Sequence, residues 1–390
     1  MLTNRFKTLF SWSLLTALAI VAFALGSGHE AMAATHADHL GKTLLLAGFV
    51  NIRNLFTREA IIRYLQVLGP AYPTVCLDRI FKDRPQQPGP LIGSDIVRQY
   101  IRAMALSRRG SPAISITGAT GRTEFYEPLP IHPKIDITGA DLNNLRLFSQ
   151  GGPNSKNQLE IWAQNKTDVL RRTVRATTEA MCASALTGKL SYPVQLEGGG
   201  FDTFEIDYGG VQSLDAGSYK YWDDPAIKAV DIVDTFIQLR KVFQRIGVGG
   251  EVLFWAGEDA FKALFTIVSK ILTSTKLQSE AGVSMKLEDN YIMIGTIKVE
   301  LRAEEYWSPV TGLFTPIVPK DTLKAIATDA GHRMPYASID DLDGNLEPMP
   351  FFVKPVRHPD GSGYALIAES KPLPVVNSLG LCDVVVITPA

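Results

Sequence analysis

The sequence predicts an α+β protein, and three observations carry that prediction. Residues 157–186 place apolar side chains at spacings of three, four and seven, the mark of one long amphipathic helix. Strand-like and helix-like segments follow it as far as the C-terminus. Ahead of it lies GRTEFYEPLPIHPKIDITGADL (121–142), which fits neither class. Pro128, Pro130 and Pro133 lock φ, remove backbone donors and push the preceding residues toward extended conformations. Such a stretch cannot run through the centre of a sheet. It reads as a stiff, extended, half-apolar arm.

The elements follow in order. Leu44 to Leu68 is mostly apolar with Arg53, Arg58 and Arg63 interspersed, an amphipathic helix stopped by Gly69-Pro70. Residues 71–95 are irregular, with DRPQQPGP (83–90) as a breaker. Asp95 to Leu106 is extended or a short helix, and Ser107 to Pro112 a basic turn. A strand at Ala113 to Ile116, a glycine-bounded tip and the proline-rich return, with a strand at Lys134 to Thr138, make a long two-armed projection. Residues 141–153 are a loop. The long helix then carries Trp162, Val169, Val174, Met181 and Ala185 as its apolar stripe, with Leu159, Leu170 and Leu186 nearby. Arg171, Arg172, Arg175 and Glu179 are expected on its other faces, and Gly188 is expected to stop it.

Beyond it, Leu190 to Val194 and Phe201 to Tyr208 read as strands joined through Gly198-Gly199-Gly200. Trp222-Asp223-Asp224-Pro225 opens a second helix, which Gly247 ends. Glu251 to Trp255 is a buried strand, Asp259 to Thr273 a helix, and Tyr291 to Leu301 a hairpin. Phe351 to Val353, Tyr364 to Ala368 and Val384 to Ile387 are the last strands.

Composition narrows the function classes. The chain has 390 residues, enough for two or three domains. With 39 basic against 40 acidic residues, no lysine- and arginine-rich surface points to tight nonspecific nucleic-acid binding. Cys76, Cys182 and Cys382 are far apart and form no disulfide framework, so buried or isolated thiols are expected. The first residues differ from the rest: Arg5 and Lys7, an uncharged run from Leu9 to Leu25, then Ala31-Met32-Ala33. That order matches a secretory signal and reads as an exported or membrane-anchored protein.

Chemistry is sparse. His36 and His39 have an i, i+3 spacing but no HExxH context, and His132, His332 and His358 fall in proline-flanked or polar turns. The glycine runs at 198–200 and 247–250 precede strands rather than helices, so they are turns and not phosphate loops. Asp340-Asp341-Leu342-Asp343-Gly344 resembles a fragment of a calcium loop without its distal glutamate. No catalytic, cofactor-binding or metal-ligating residue is assigned, and the protein is read as no enzyme. A long helix, a projecting arm and no catalytic cluster describe a protein that makes contacts.

Several stretches together resemble the lambda-type major capsid proteins of tailed phages, the capsid protein E family. They are the arm ISITGATGRTEFYEPLPIHPKIDITGADL (114–142), EAMCASALTGKLSY (179–192), FDTFEIDYG (201–209), YWDDPAIKAVDIVDTF (221–236) and VLFWAGEDAFKALF (252–265). Their order and spacing match over roughly residues 75–387. The resemblance implies the Hong Kong 97-type phage capsid fold, with a long spine helix, peripheral and axial domains, an extended E-loop and an N-terminal arm. On that pattern residues 1–33 are the signal-like leader or an N-terminal extension, 34–95 the N-terminal arm region and 96–140 the E-loop. Residues 141–225 are the peripheral domain with the spine helix, 226–345 mostly the axial domain, and 346–390 the C-terminal strands.

The function it implies is a major capsid protein that self-assembles into an icosahedral head shell enclosing the phage genome. Partners are other copies of the chain in pentamers and hexamers, with portal, scaffold and decoration proteins beyond them. Double-stranded DNA is enclosed without sequence-specific binding, and no stable membrane partner or cofactor is expected. Assembly in the host cytoplasm departs from the leader, which keeps an exported enzyme or binding protein as one alternative. A nanocompartment shell protein is the other. Phe125, Tyr126, Leu129 and Ile131 are the expected subunit contacts. Removing residues 113–137 is expected to leave a folded monomer that cannot assemble.

Overall fold

The structure, a computed structural model, describes residues 58–68, 73–98, 120–141, 144, 155–196, 198–215, 217–248, 250–274, 284–308, 311–361 and 363–389. The chain divides into two compact units, Met1–Val67 with Asn144–Gln164, and Leu68–Asn143 with Asn165–Ala390. Of the first unit, the described residues are helix α1 (Arg58–Val67) and the opening of the long helix. Ala60, Tyr64 and Ala163 are its buried side chains among them. The leader, the part of the predicted Leu44–Leu68 helix that precedes Arg58, and the strand predicted at Ala113 to Ile116 lie outside the described residues.

In the second unit, residues 71–95 are less irregular than predicted: they contain the short helix α2 (Cys76–Arg79) and the start of strand β1 (Ile92–Arg98). β1 pairs antiparallel with β2 (Thr120–Tyr126). Strand β3 (Lys134–Thr138) follows as predicted.

The long helix is α3 (Ser155–Ala185), 31 residues and about 46 Å at the usual rise. Gly188, with φ 86, follows its end, and a Cβ there would meet the Gly209 carbonyl oxygen at 2.7 Å. The buried stripe differs from the predicted one. Ala163, Thr167, Leu170, Val174, Thr178, Met181 and Ala185 are buried, whereas Val169 is 53% exposed. Successive helical residues point about 100° apart, so choosing Leu170 for the stripe turns Val169 out of it. Thr178 fits because its hydroxyl donates to the Val174 carbonyl at 2.8 Å.

Glu179 is the larger correction, since it is buried rather than on an exposed face. Its Oε1 accepts the backbone N–H groups of Val75 at 2.8 Å and Cys76 at 2.7 Å, and its Oε2 that of Leu77 at 2.9 Å. These are unsatisfied donors at the start of α2, so one carboxylate from the spine holds the incoming chain. Arg175, expected to be solvated, donates to Asp78 at 2.5 Å and to Thr74 at 2.7 Å beside it. Asp168 pairs with Arg171 at 3.3 Å and Arg172 at 2.6 Å.

After α3 come β4 (Lys189–Gln195) and β5 (Phe201–Asp207), an antiparallel hairpin turned through Gly199 and Gly200 in the left-handed region. The short β6 (Gln212–Ser213) leads to α4 (Ala229–Ile246), capped by Gly247 at φ 84. Then β7 (Val252–Ala256), α5 (Glu258–Thr273), β8 (Met285–Leu287), β9 (Tyr291–Ile294) and β10 (Ile297–Leu301) follow. β11 (Glu305–Trp307) and β12 (Phe314–Pro316) make a separate two-stranded ribbon. The remaining strands are β13 (Thr322–Ala327), β14 (Phe352–Arg357), β15 (Gly363–Glu369) and β16 (Leu381–Val385).

Seven strands form one sheet in the order β6-β16-β13-β7-β10-β9-β8. β10 runs parallel to β7, the connection that an intervening helix such as α5 permits. Alternation sorts the central side chains. Phe254, Ala256, Leu323, Ala325 and Val384 join the core of α4 and α5, while Leu253, Trp255, Ile326 and Leu381 join the core that contains the end of α3.

β13 was not predicted at all. A lysine in TLKAIA hides its apolar run, yet every residue is buried. The fully buried Lys324 explains itself: Nζ donates to Asp383 Oδ2 at 2.7 Å and to the Leu186 carbonyl at 3.0 Å. A cation is thereby placed at the C-terminal end of the spine helix, where the helix dipole favours it. Glu300 on β10 makes a second tie, paired with Arg79 of α2, with Arg302, and with Lys298 at 2.8 Å. Burial works to raise its pKa, but the hydrogen bonds from Arg79 and Lys298 and the Arg302 charge outweigh it and hold the carboxyl at about 2.

His332 was expected in a polar turn and is buried instead, tilted against Phe81 with ring centroids 6.3 Å apart. Its Nδ1 accepts the Asn377 N–H at 3.3 Å. Burial lowers its pKa from 6.5 to about 4, opposed in part by the Ala327 backbone and Asp329. Between those two values the unfolded chain binds a proton that the folded chain refuses. This contribution is therefore fully present above pH 6.5 and is lost as pH falls to about 4, by up to about 3 kcal/mol. Urea unfolding of unassembled subunits at pH 7 and pH 4.5 should show the loss. His332→Asn should make it smaller, and an equal loss in that variant removes His332 as the cause.

Candidate functional site

The arm begins as the β1–β2 hairpin, in register from Ile92 opposite Tyr126 to Arg98 opposite Thr120. It is rooted by Ile92, which is fully buried. Past β2 the proline-rich return lies against the body: Pro128 is buried, and Ile131 exchanges backbone hydrogen bonds with Ser370 at 2.8 and 3.1 Å. β3 then pairs with β15 in the three-stranded sheet β14-β15-β3.

The four predicted contact residues separate into two kinds. Phe125 is 67% exposed and Leu129 39% exposed. Tyr126 and Ile131 pack against the core that includes Ile92, Leu186 and Trp255. The Tyr126 hydroxyl also donates to Glu124. The alternation of a strand accounts for the first pair of neighbours: with Tyr126 facing in, Phe125 must face out.

Two further exposed surfaces belong to the body. β4–β5 presents Phe201 and Leu196, each 49% exposed, near its turn. The β11–β12 ribbon sets Trp307 against Phe314, edge to face with centroids 5.2 Å apart, and Leu313 beside them is exposed as well. The sequence reading missed this ribbon, although aromatic residues flanking Ser-Pro-Val-Thr-Gly (308–312) are a legible turn signal. A cleft of about 610 Å³ lies between the segment Trp222–Val230 and one side of α5, lined by Trp222, Ile227, Lys228, Ile267 and Lys270.

The groups that could carry chemistry are placed as follows. Cys76, Cys182 and Cys382 are buried free thiols, and burial raises the pKa of each, that of Cys382 to about 12. His132 is exposed between its prolines, and His358 Nε2 lies 3.6 Å from Asp136. The Asp340–Asp343 loop is tied down by lysines: Asp341 to Lys354 and Asp340 to Lys371. Among the described residues, no group of three or more His, Cys, Asp or Glu side chains is placed to hold a metal ion. No described helix is long and apolar enough to cross a membrane.

Comparison with known proteins gives the architecture a family. A family model described as phage major capsid protein E matches residues 57–382. Among solved structures, a protein assigned as the capsid protein of a prophage of E. coli CFT073 superposes with a TM-score of 0.50 at 14% identity, covering 84% of this chain and 98% of that one. A phage-related protein of Bordetella bronchiseptica RB50 gives 0.42 at 11%, covering 85% and 97%. The capsid of cyanophage A-1(L) gives 0.41 at 12%, covering 83% and 95%. No curated protein matches. The fold is the Hong Kong 97-type capsid fold. With spine helix, arm and most of its length inside the matched span, this chain belongs to the phage major capsid protein E family and is a capsid shell protein.

Proposed function

We propose that copies of this chain close into pentamers and hexamers through heterologous contacts, with the arm of each copy lying over its neighbour. The observation that carries the reading is Phe125, a large apolar side chain held outward on a strand whose next residue is anchored in the core. An isolated exposed aromatic is ordinary, but here a proline-stiffened chain presents it with Leu129 nearby. Stiffness reduces the conformational entropy lost when the arm docks. Phe125 and Leu129 then make the contact, and Tyr126 and Ile131 hold the root.

The same reading divides the chain into an E-loop at 96–140, a peripheral domain at 141–225 and a mainly axial domain at 226–345. Portal, scaffold and decoration proteins are its further partners, and the shell encloses double-stranded DNA without reading its sequence. A nearly neutral chain suits a shell that a motor fills, since no basic interior has to be displaced. Assembly belongs to the host cytoplasm.

Size-exclusion chromatography and negative-stain microscopy of the expressed protein test this. Rings or closed shells are expected. A monodisperse monomer at high concentration refutes the assembly, and shells filled with protein cargo in place of DNA in the native host refute the genome-enclosing role.

A further inference from the structure

The loop between β13 and β14 is both strained and firmly fixed. Asn345 and Leu346 follow one another at φ 55 and 54, and they are the non-glycine residues in the left-handed region among the described residues. A leucine is disfavoured in that conformation and persists only where its surroundings impose it. Here Asp341 is buried, and its carbonyl accepts the N–H groups of Gly344 and Leu346, each at 3.2 Å. Its Oδ1 accepts the Asp343 N–H at 2.8 Å, and its carboxylate pairs with Lys354. Lys371, fully buried, holds Asp340, and Glu369 accepts the Asp340 N–H at 3.1 Å. The Ile339 N–H closes the loop on the Glu347 carbonyl at 3.3 Å.

What this scaffold presents to solvent is apolar. Leu342 is 84% exposed, the most exposed large apolar side chain among the described residues, and Leu346 is 52% exposed. Enforced strain beneath an exposed apolar tip marks a contact surface shaped before its partner arrives. The flanking charges set the kind of partner. Asp340, Asp343 and Glu347 are exposed on either side of the leucines. Two such loops face to face would bring like charges together, so the fit is to an apolar recess with cations beside it. The cleft next to α5 is such a recess. Ile227, Ile267 and Ile271 line it, Lys228 and Lys270 are exposed among its lining residues, and its volume of about 610 Å³ accommodates both leucine side chains. The two aspartates of the lining are engaged by their own segments. Asp223 accepts the Thr388 N–H and hydroxyl, and Asp224 the Ala226 N–H at 2.8 Å.

Resting on the reading that copies close into rings, we infer that Leu342 and Leu346 of one copy insert into this cleft of a second copy. Loop and cleft are different surfaces of the chain, so the contact is heterologous and repeats around a closed ring. The strain is met once, in folding, and a loop already held in shape loses little entropy when it docks. Asp343 and Glu347 then approach Lys228 and Lys270. Exposed ion pairs are individually weak, so these set the register while the leucines supply the attraction.

Paired cysteines test it in assembled protein, because the native thiols are buried. Shells of Leu342→Cys/Thr266→Cys, oxidised with copper phenanthroline, should run as disulfide-linked multimers on a nonreducing gel. Two thiols of different copies form the bond, and the oxidant takes their two electrons while two protons leave. Leu342→Cys/Val230→Cys probes the other wall of the cleft. Shells of both double variants without links overturn the inference. So does a link formed within one copy, or multimers from Leu342→Cys alone, which would bring two loops together. Independently of cysteine, Leu342→Asp should fold and give about tenfold fewer shells, a change equal to about 1.4 kcal/mol in one contact, whereas Leu342→Met should assemble like the parent. Thr266→Trp, which fills the cleft from an exposed position, should lower the yield as Leu342→Asp does. Parent-like assembly of Leu342→Asp or Thr266→Trp overturns the inference even where the cysteine variants form no shells. Where the parent assembles and these results fail, the ring reading stands and this inference falls. Where the parent forms no shells, both fall.

Discussion

Deleting residues 99–119 and joining Arg98 to Thr120 through Asn-Gly is expected to yield a folded subunit that forms no shells. The cut follows from the register. Arg98 and Thr120 are direct partners, so a two-residue turn closes the hairpin without disturbing β1 or β2. The wider deletion of 113–137, reasonable from sequence, would also remove β2, buried Pro128 and most of β3, and with them the pairing to β15. It would unfold part of the body and say nothing about assembly. Phe125→Asp is the finer variant. A docked phenylalanine contributes about 1.5–3 kcal/mol by burial, and an aspartate there adds a desolvation penalty, at every equivalent contact of the shell. Sedimentation should show both variants as small species with the thermal stability of the unassembled parent. Normal shells from either would refute the arm as a subunit contact.

Glu179→Ala is expected to destabilise the subunit by about 3–5 kcal/mol, because it leaves three backbone donors without their acceptor at a cost of roughly 1–3 kcal/mol for each that stays buried. Three backbone donors of residues 75–77 lose their acceptor together, and those of Cys76 and Leu77 are buried. Glu179→Gln should cost roughly half as much. Its amide oxygen still accepts from Val75 and Cys76, while its NH2 group faces the Leu77 donor. Urea midpoints of unassembled subunits, compared at a common slope, measure both. A change below about 1 kcal/mol for the alanine variant would mean that α2 finds other acceptors. Proteolysis near residue 75 should accelerate in step with the destabilisation, because the carboxylate secures that segment to the spine.

The pattern of successes follows from distance along the chain. The spine helix, the β4–β5 and β9–β10 hairpins, the helix stop at Gly247 and the paired β3 were legible because each depends on residues close in sequence. Periodicity, turn glycines and proline chemistry act over a few positions. Of the proposed contact residues, Phe125 and Tyr126 are neighbours in the sequence, but their opposite directions needed the β1–β2 hairpin to be placed on a core. The Trp307 ribbon was missed because its two strands are only three residues each and carry little periodicity.

By itself, then, the sequence determined the local parts: one long helix, an arm that proline keeps extended, and the order of motifs that marks the family. Tertiary structure alone decided which polar residues lie inside. Glu179 and Cys76 are 103 positions apart, and Lys324 and Leu186 are 138 apart. In a single-sequence reading a glutamate in a helix and a lysine in a short apolar run both point to solvent. Each is buried because folding brings to it backbone groups that have no other partner, and an unmet buried N–H or C=O is costlier than a charge enclosed among its acceptors or donors.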